Sequence, residues 1–380
     1  MKNDIMDNEA LIRKTLRHKF EIVSEIGKGG MATVYKAIQL NLGRTVALKV
    51  IHQNLVHNEE FILRFQREAE VLASLRHPNI VSVYDFDSVD YIHYIAMEYL
   101  EGMNLRELKS KNGTFTVSET INYIAPIADA LSYMDKRGIV HRDVKPSNIF
   151  ITNEGRPVLM DFGVVSSKQL LSFSGGKITV GTPEYMSPEQ AEGKLKLDGR
   201  SDIFSLGVVT YECLTGQVPF SGDNPISILF QVIHKNVTAA VEINSKVPEW
   251  LSAIVEKCME KDRELRFQNG DSLLNAFMRG ENANRENRES EFRKSRSEAG
   301  KRNSKSEKNN AYDKDDYDRQ KWKNTDSGNI VNKKTQAEIS FEIEYRKKIF
   351  VVVVLITAIL MLICIIIILI GRPENQIQIP

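Results

Sequence analysis

The run His141-Arg142-Asp143-Val144-Lys145-Pro146-Ser147-Asn148 is followed, thirteen residues after Asn148, by Asp161-Phe162-Gly163. These residue types at this spacing suit transfer of a phosphoryl group to a hydroxyl. A carboxylate near the attacking hydroxyl orients it and accepts its proton, which is the role open to Asp143. Asn148 and Asp161 supply the hard oxygens that hold magnesium against phosphates. Lys145, two residues past Asp143, is a cation placed to spread negative charge developing in the transition state. Each dipeptide is common by chance, but the set in this order is not.

Elements upstream must bring phosphates to these groups. Ile26-Gly27-Lys28-Gly29-Gly30-Met31-Ala32-Thr33-Val34-Tyr35 is a glycine-rich turn between strand-like segments. Gly27, Gly29 and Gly30 let the backbone approach phosphates without a Cβ in the way. Ala32 stands at the third position of a G-x-G-x-x-G pattern, so the fit is imperfect, and a plain hairpin is the better reading of this turn alone. Val46-Ala47-Leu48-Lys49-Val50 is an apolar strand with one inward lysine, and burying that ammonium calls for a partner. The segment Asn58 to Leu75 supplies one: Phe61, Ile62, Phe65, Ala69 and Leu72 recur at helical spacing, Asn58 suits an N-cap, and Glu68 is the candidate carboxylate.

On these residues the chain resembles the eukaryotic-type (Hanks-type) serine/threonine protein kinases over residues 20–278. The resemblance implies an α+β, two-lobed fold: a small antiparallel β lobe with one helix, a large mainly helical lobe, and ATP in the cleft between them. It implies that Gly27, Gly29 and Gly30, with Ile26, Lys28, Val34 and Ala47, cover the nucleotide. Lys49 would pair with the α- and β-phosphates and with Glu68. Asn148 and Asp161 would hold magnesium, or manganese in its place. Met97-Glu98-Tyr99-Leu100 would be the hinge, with the backbone of Glu98 and Leu100 bonding adenine and Met97 lining the back of the pocket. Leu72, Val83, His141 and Phe162 would stack to join the lobes. Asp202 would brace the catalytic loop, and Arg266 would pair with Glu189.

The same resemblance bears on substrate and switching. Lys145 after Asp143, and Thr182 before Pro183, are similar to serine/threonine rather than tyrosine kinases. Lys49, Glu68, Asp143, Asn148 and Asp161 are all present, which implies an active enzyme. Arg142 would bind a phosphate on the activation segment, for which a guanidinium is well shaped. Ser166, Ser167, Ser172, Ser174 and Thr179 lie on that segment. Thr179 is the expected autophosphorylation site, with Thr182 a fixed contact to Asp143 and Lys145 or a second site.

Composition sets the wider frame. The formal net charge of +1 argues against a globally basic nucleic-acid binder. Cys213, Cys258 and Cys364 are far apart, which disfavours a disulfide framework or metal site. Residues 1–19 show no apolar run after their charges and read as an N-terminal extension, not a signal peptide. Residues 279–348 interleave acidic and basic residues with few apolar ones and read as a disordered linker; that interleaving also weakens a nucleic-acid role for it. Ile349 to Ile370 is uncharged, and about 22 residues at about 1.5 Å each span about 33 Å, enough for one transmembrane helix. Arg346, Lys347 and Lys348 before it place the N-terminal part in the cytoplasm, leaving residues 371–380 outside. Pairing of two copies through the small lobe is a further expectation, drawn from the resemblance. A membrane-tethered scaffold that binds nucleotide without transfer is the alternative function.

Pro126 falls within Ser118 to Asp135, which otherwise reads as a helix with Thr116 and Glu119 as its capping box. A proline there removes one backbone hydrogen bond, so a bend is expected.

Overall fold

The computed structural model describes residues 8–161, 172–174, 177–179, 182–284 and 286. Five strands make the sheet of the small lobe: β1 (Phe20–Lys28), β2 (Ala32–Gln39), β3 (Arg44–Ile51), β4 (Val83–Val89) and β5 (Ile92–Glu98), in the order β1-β2-β3-β5-β4, all neighbours antiparallel. Alternation along β3 sends Val46, Leu48 and Val50 to one face and Lys49 and Ile51 to the other.

Each face is covered by a helix. The Val46–Leu48–Val50 face packs on α1 (Asn8–Leu16) through Ile12 and Leu16. This helix lies inside the segment read from sequence as a plain extension; its short apolar stripe finds its partner only in the assembled sheet. The opposite face packs on α2 (Glu59–Ser74) through Phe61, Phe65 and Ala69. Asn58 is its N-cap, the side chain accepting from the Phe61 N–H at 3.0 Å. Glu68 lies on the same buried stripe and is only 3% exposed. Strand period and helix period therefore aim Lys49 and Glu68 at each other.

The large lobe begins with β6 (Gly102–Asn104), α3 (Leu105–Asn112) and α4 (Val117–Asp135). Strands β7 (Ile149–Thr152) and β8 (Pro157–Leu159) join β6 in a small sheet ordered β6-β7-β8. A hairpin pairs β9 (Ser172–Ser174) with β10 (Lys177–Thr179). The helices α5 (Pro188–Ala191), α6 (Gly199–Thr215), α7 (Pro225–His234), α8 (Ala240–Ile243) and α9 (Glu249–Cys258) follow. Nearly all of α6 is buried, and its polar residues are bonded inside the lobe, Ser205 to the Ser201 carbonyl and Thr210 to the Leu206 carbonyl. It packs against Ile124, Ile127, Leu131 and Met134 of α4.

The capping box of α4 is present, with Thr116 and Glu119 reciprocally bonded, and the helix runs on through Pro126. Residues 270–284 form a last helix, α10. It extends six residues past the expected start of the linker because Gly280 lies against the Trp250 ring, where a Cβ would come within 2.1 Å of the ring. Among the described residues no helix is long and apolar enough to cross a membrane. The remainder of the expected linker beyond residue 286, Ile349 to Ile370, and residues 371–380 lie outside the described residues.

Candidate active site

The catalytic loop is held from below by α6. Asp202 accepts the N–H of His141 at 2.7 Å and of Arg142 at 2.8 Å. These bonds hold Arg142 at φ +68°, a left-handed conformation unusual for a residue with a side chain. Asp161 is likewise at φ +50°. Such strain persists where the surroundings over-determine it. Burial pushes the Asp202 carboxyl up to about 7.

The braced loop presents a compact polar set. Lys145 Nζ lies 2.8 Å from Asp143 Oδ2. Asn148 Nδ2 donates to the same Oδ2 and to the Asp143 carbonyl, both at 2.9 Å. Oδ1 of Asp143 has no hydrogen-bond partner among the described residues, so one oxygen remains to accept a hydroxyl proton. Burial raises the Asp143 pKa, against the pull of Lys145. A raised pKa makes the carboxylate a stronger acceptor of the hydroxyl proton.

Met160 N–H donates to the Asn148 carbonyl at 2.8 Å, which sets the next residue, Asp161, beside Asn148. With its amide nitrogen turned to Asp143, Asn148 has Oδ1 on its other side, accepting only a long 3.3 Å bond from the Ser147 hydroxyl, with a lone pair left for a cation. That oxygen and the Asp161 carboxylate form a hard, two-residue donor set. It fits magnesium, which takes one or two protein oxygens and completes its shell with phosphates and water.

Across the cleft, Lys49 Nζ lies 2.8 Å from Asp161 Oδ1 and 3.6 Å from Glu68 Oε1. The lysine thus bridges both carboxylates, with Asp161 the nearer. Burial works against the charge on Lys49, but Asp161 and then Glu68 outweigh it and hold the ammonium protonated well above its ordinary range. Lys49 in turn depresses the Asp161 pKa, while burial lifts Glu68 to about 7.

A cavity of about 510 Å³ opens beside this set, large enough for a nucleotide. Ile26, Gly27, Val34, Ala47, Met97, Glu98 and Leu100 all line it, as does Asp161. Lys28, Gly29 and Gly30 lie on the loop but not in the cavity wall, and Gly29 N–H donates to the Ala32 carbonyl at 2.9 Å, closing the turn. At the hinge, Glu98 N–H donates to the Ser82 carbonyl and the side chain pairs with Arg156 at 2.7 Å. Strand β5 ends at Glu98, and the Leu100 N–H has no backbone partner among the described residues, which suits it to an adenine edge. Asn104, Glu107, Phe150, Asn153 and Met160 also line it and were not foreseen, nor were Glu101 and Gly102. The capping-box spacing of Asn104 and Glu107 was a readable signal for the first two. Gly102, at φ +151°, lets β6 pass close to β7, since a Cβ there would lie 2.1 Å from the Ile151 carbonyl oxygen.

The regulatory candidates are less united. Arg142 Nε is buried with no hydrogen-bond partner. The Thr179 backbone lies in β10, and its side chain is outside the described residues. Thr182 lines a cavity with Lys145, but no hydrogen bond joins it to Asp143 or Lys145 among the described residues. Phe162 is outside the described residues, while Leu72 and His141 are buried and Val83 packs on the core.

His141 yields a pH prediction. Its Nε2 donates to the Met160 carbonyl at 3.1 Å, and Nδ1 accepts the Asp143 N–H at 3.3 Å. Burial lowers its pKa to about 4. The unfolded imidazole takes a proton below about 6.5 and the folded one does not, so stability is lost as pH falls from about 6.5 to about 4, by about 3 kcal/mol. Melting curves of wild type and His141→Gln over that range should diverge in slope, the variant being less acid-sensitive. Parallel slopes would refute this role.

Comparison with known proteins agrees with this geometry. Residues 20–278 match the protein kinase domain family. A probable serine/threonine-protein kinase of Clostridium acetobutylicum is 38% identical over 80% of this chain and 46% of its own length. The serine/threonine-protein kinase PrkC of Bacillus subtilis is 38% identical over 69% of this chain and 40% of its own. PknB of Mycobacterium tuberculosis is also 38% identical, over 70% and 44%. The chain thus spans less than half the length of these curated relatives. The crystal structure of the M. tuberculosis PknI kinase domain superposes with a TM-score of 0.54 at 26% identity, covering 68% of this chain and 94% of that one. By the match over residues 20–278 and the 38% identity to these kinases, the chain belongs to the protein kinase family, among the bacterial Hanks-type serine/threonine kinases.

Proposed function

We propose that this chain is an ATP-dependent serine/threonine protein kinase, switched on by autophosphorylation of its activation segment and anchored in the membrane by Ile349 to Ile370 with the kinase domain in the cytoplasm. One observation carries the catalytic part: Lys49, Glu68, Asp143, Lys145, Asn148 and Asp161 are joined by direct contacts, and Asp161 among them lines a nucleotide-sized cavity. The anchor rests on the apolar run and the basic residues before it; the switch rests on Arg142 and the hydroxyls that follow Asp161.

The roles follow from the contacts. Bound with magnesium, ATP would supply the phosphoryl group and much of the charge neutralisation. Lys49 would hold phosphate oxygens, and Glu68 and Asp161 hold Lys49. Asp143, fixed through Oδ2, uses Oδ1 to orient the substrate hydroxyl and accept its proton. Lys145 is placed to offset negative charge on the transferred group.

Phosphosite mapping after incubation with ATP and magnesium tests the reading. Serine and threonine phosphates are expected on the chain, Thr179 first and Thr182 second, with transfer to a generic basic protein. An unmodified segment on a fully active enzyme would refute the switch. Nucleotide binding without any transfer would refute the kinase and leave the scaffold.

A further inference from the structure

A second cavity, of about 380 Å³, adjoins the catalytic loop on the side of α3. Arg106 and Lys109 of α3, Lys145, Glu184, Tyr185 and Glu212 are among the residues that line it. Lys145 is bonded to Asp143, so whatever fills this cavity lies beside the acceptor hydroxyl. Its charges therefore meet the side chains that flank that hydroxyl in a protein substrate.

Most of those charges are already committed. Glu212, on the buried α6, has both oxygens taken: Oε1 by the Lys109 ammonium and Oε2 by the Tyr185 hydroxyl at 2.6 Å. Lys109 also donates to the Gly216 carbonyl at 3.1 Å, the left-handed cap of α6, which fixes it over the carboxylate. Lys145 is paired with Asp143. Oε2 of Glu184 has no partner, but it is buried out of reach of solvent. Arg106 is exposed and has no ion pair among the described residues. An approaching peptide thus finds Glu212 closed and the Arg106 guanidinium open.

We infer that Lys109 and Arg106 determine substrate choice: Lys109 closes Glu212 to basic side chains, and Arg106 attracts a carboxylate next to the acceptor. The inference rests on the kinase reading above. Arginine suits a carboxylate because its planar fork can bond both oxygens. The pair would be partly exposed, so its effect is modest, about 3–5-fold in kcat/KM.

The test uses the purified full chain, ATP and magnesium, and threonine peptides carrying Asp, Ala or Arg at each position flanking the acceptor. Wild type should favour Asp over Ala, and Ala over Arg, at one flanking position, by about 3–5-fold per step. Arg106→Glu should reverse that order. It is a surface substitution with little cost to folding. Lys109→Met keeps the apolar stem but opens Glu212, and it should raise the Arg peptide relative to the Ala peptide. A wild-type preference for Arg, or the same ranking in wild type and Arg106→Glu, would overturn the inference while leaving the kinase intact. No transfer to any peptide or protein would overturn the kinase reading and this inference with it.

Discussion

Asp143→Asn is expected to slow phosphoryl transfer by about 10²–10⁴-fold, the range a positioned general base contributes. The barrier rises by about 3–5 kcal/mol. The amide oxygen can still accept from Asn148 and Lys145, which hold Oδ2 in the wild type. The loop should therefore keep its shape, bound from beneath by Asp202. On the proposed function ATP would occupy the 510 Å³ cavity, to which Asp143 contributes no wall. The KM for ATP should accordingly change little while kcat collapses. Steady-state rates at saturating peptide separate the two constants. Transfer within a few-fold of wild type would remove Asp143 from the proton path.

The largest stability effect is expected at Glu189 and Arg266. The two are joined by two 2.8 Å bonds, with side chains 4% and 0% exposed. Arg266 also donates to the carbonyls of Glu260, Arg200 and Lys261, and Ser201 donates to Glu189 at 2.6 Å. Burial opposes the charge on Glu189, yet Arg266 and Ser201 hold its pKa below the ordinary value. Glu189→Ala leaves a buried guanidinium without its counterion, at a cost of about 3–5 kcal/mol. Domains are typically stable by about 5–15 kcal/mol, so this variant should be close to unfolding. Removing both charges, as in Glu189→Ala with Arg266→Met, should be less damaging than Glu189→Ala alone, because no unpaired charge remains. Urea denaturation of the three proteins decides it. A Glu189→Ala cost under about 1 kcal/mol would show the pair to be dispensable.

Much of this site could be read from the sequence because its chemistry is local. Asp143, Lys145 and Asn148 sit on one short loop, and residue type with spacing was enough to expect them together. Lys49 and Glu68 were legible through periodicity: a strand alternates and a helix repeats every 3.6 residues, so each could be placed on a face. What escaped was set by tertiary assembly. Phe150, Asn153 and Met160 reach the 510 Å³ cavity from β7 and the turns after β7 and β8, and nothing in their own segments marks them as neighbours of Ile26. Helix α1 was missed because Ile12 and Leu16 are too short a stripe to signal a helix until the sheet face of Val46, Leu48 and Val50 is present. The extension of α10 past residue 278 depends likewise on Trp250, some thirty residues earlier in the chain. The closure of Glu212 by Lys109 joins residues 103 positions apart and was equally hidden.

The central claim is that Lys49, Asp143, Asn148 and Asp161 act together on a metal-bound triphosphate. Its most direct test is the rate of γ-phosphate transfer to a threonine substrate as magnesium is titrated, in wild type and in a folded Asp161→Asn variant. A saturable magnesium dependence in wild type, and transfer reduced by at least about 10²-fold in the variant, is the predicted result. Undiminished transfer by Asp161→Asn, or wild-type transfer that persists in excess chelator, would contradict it.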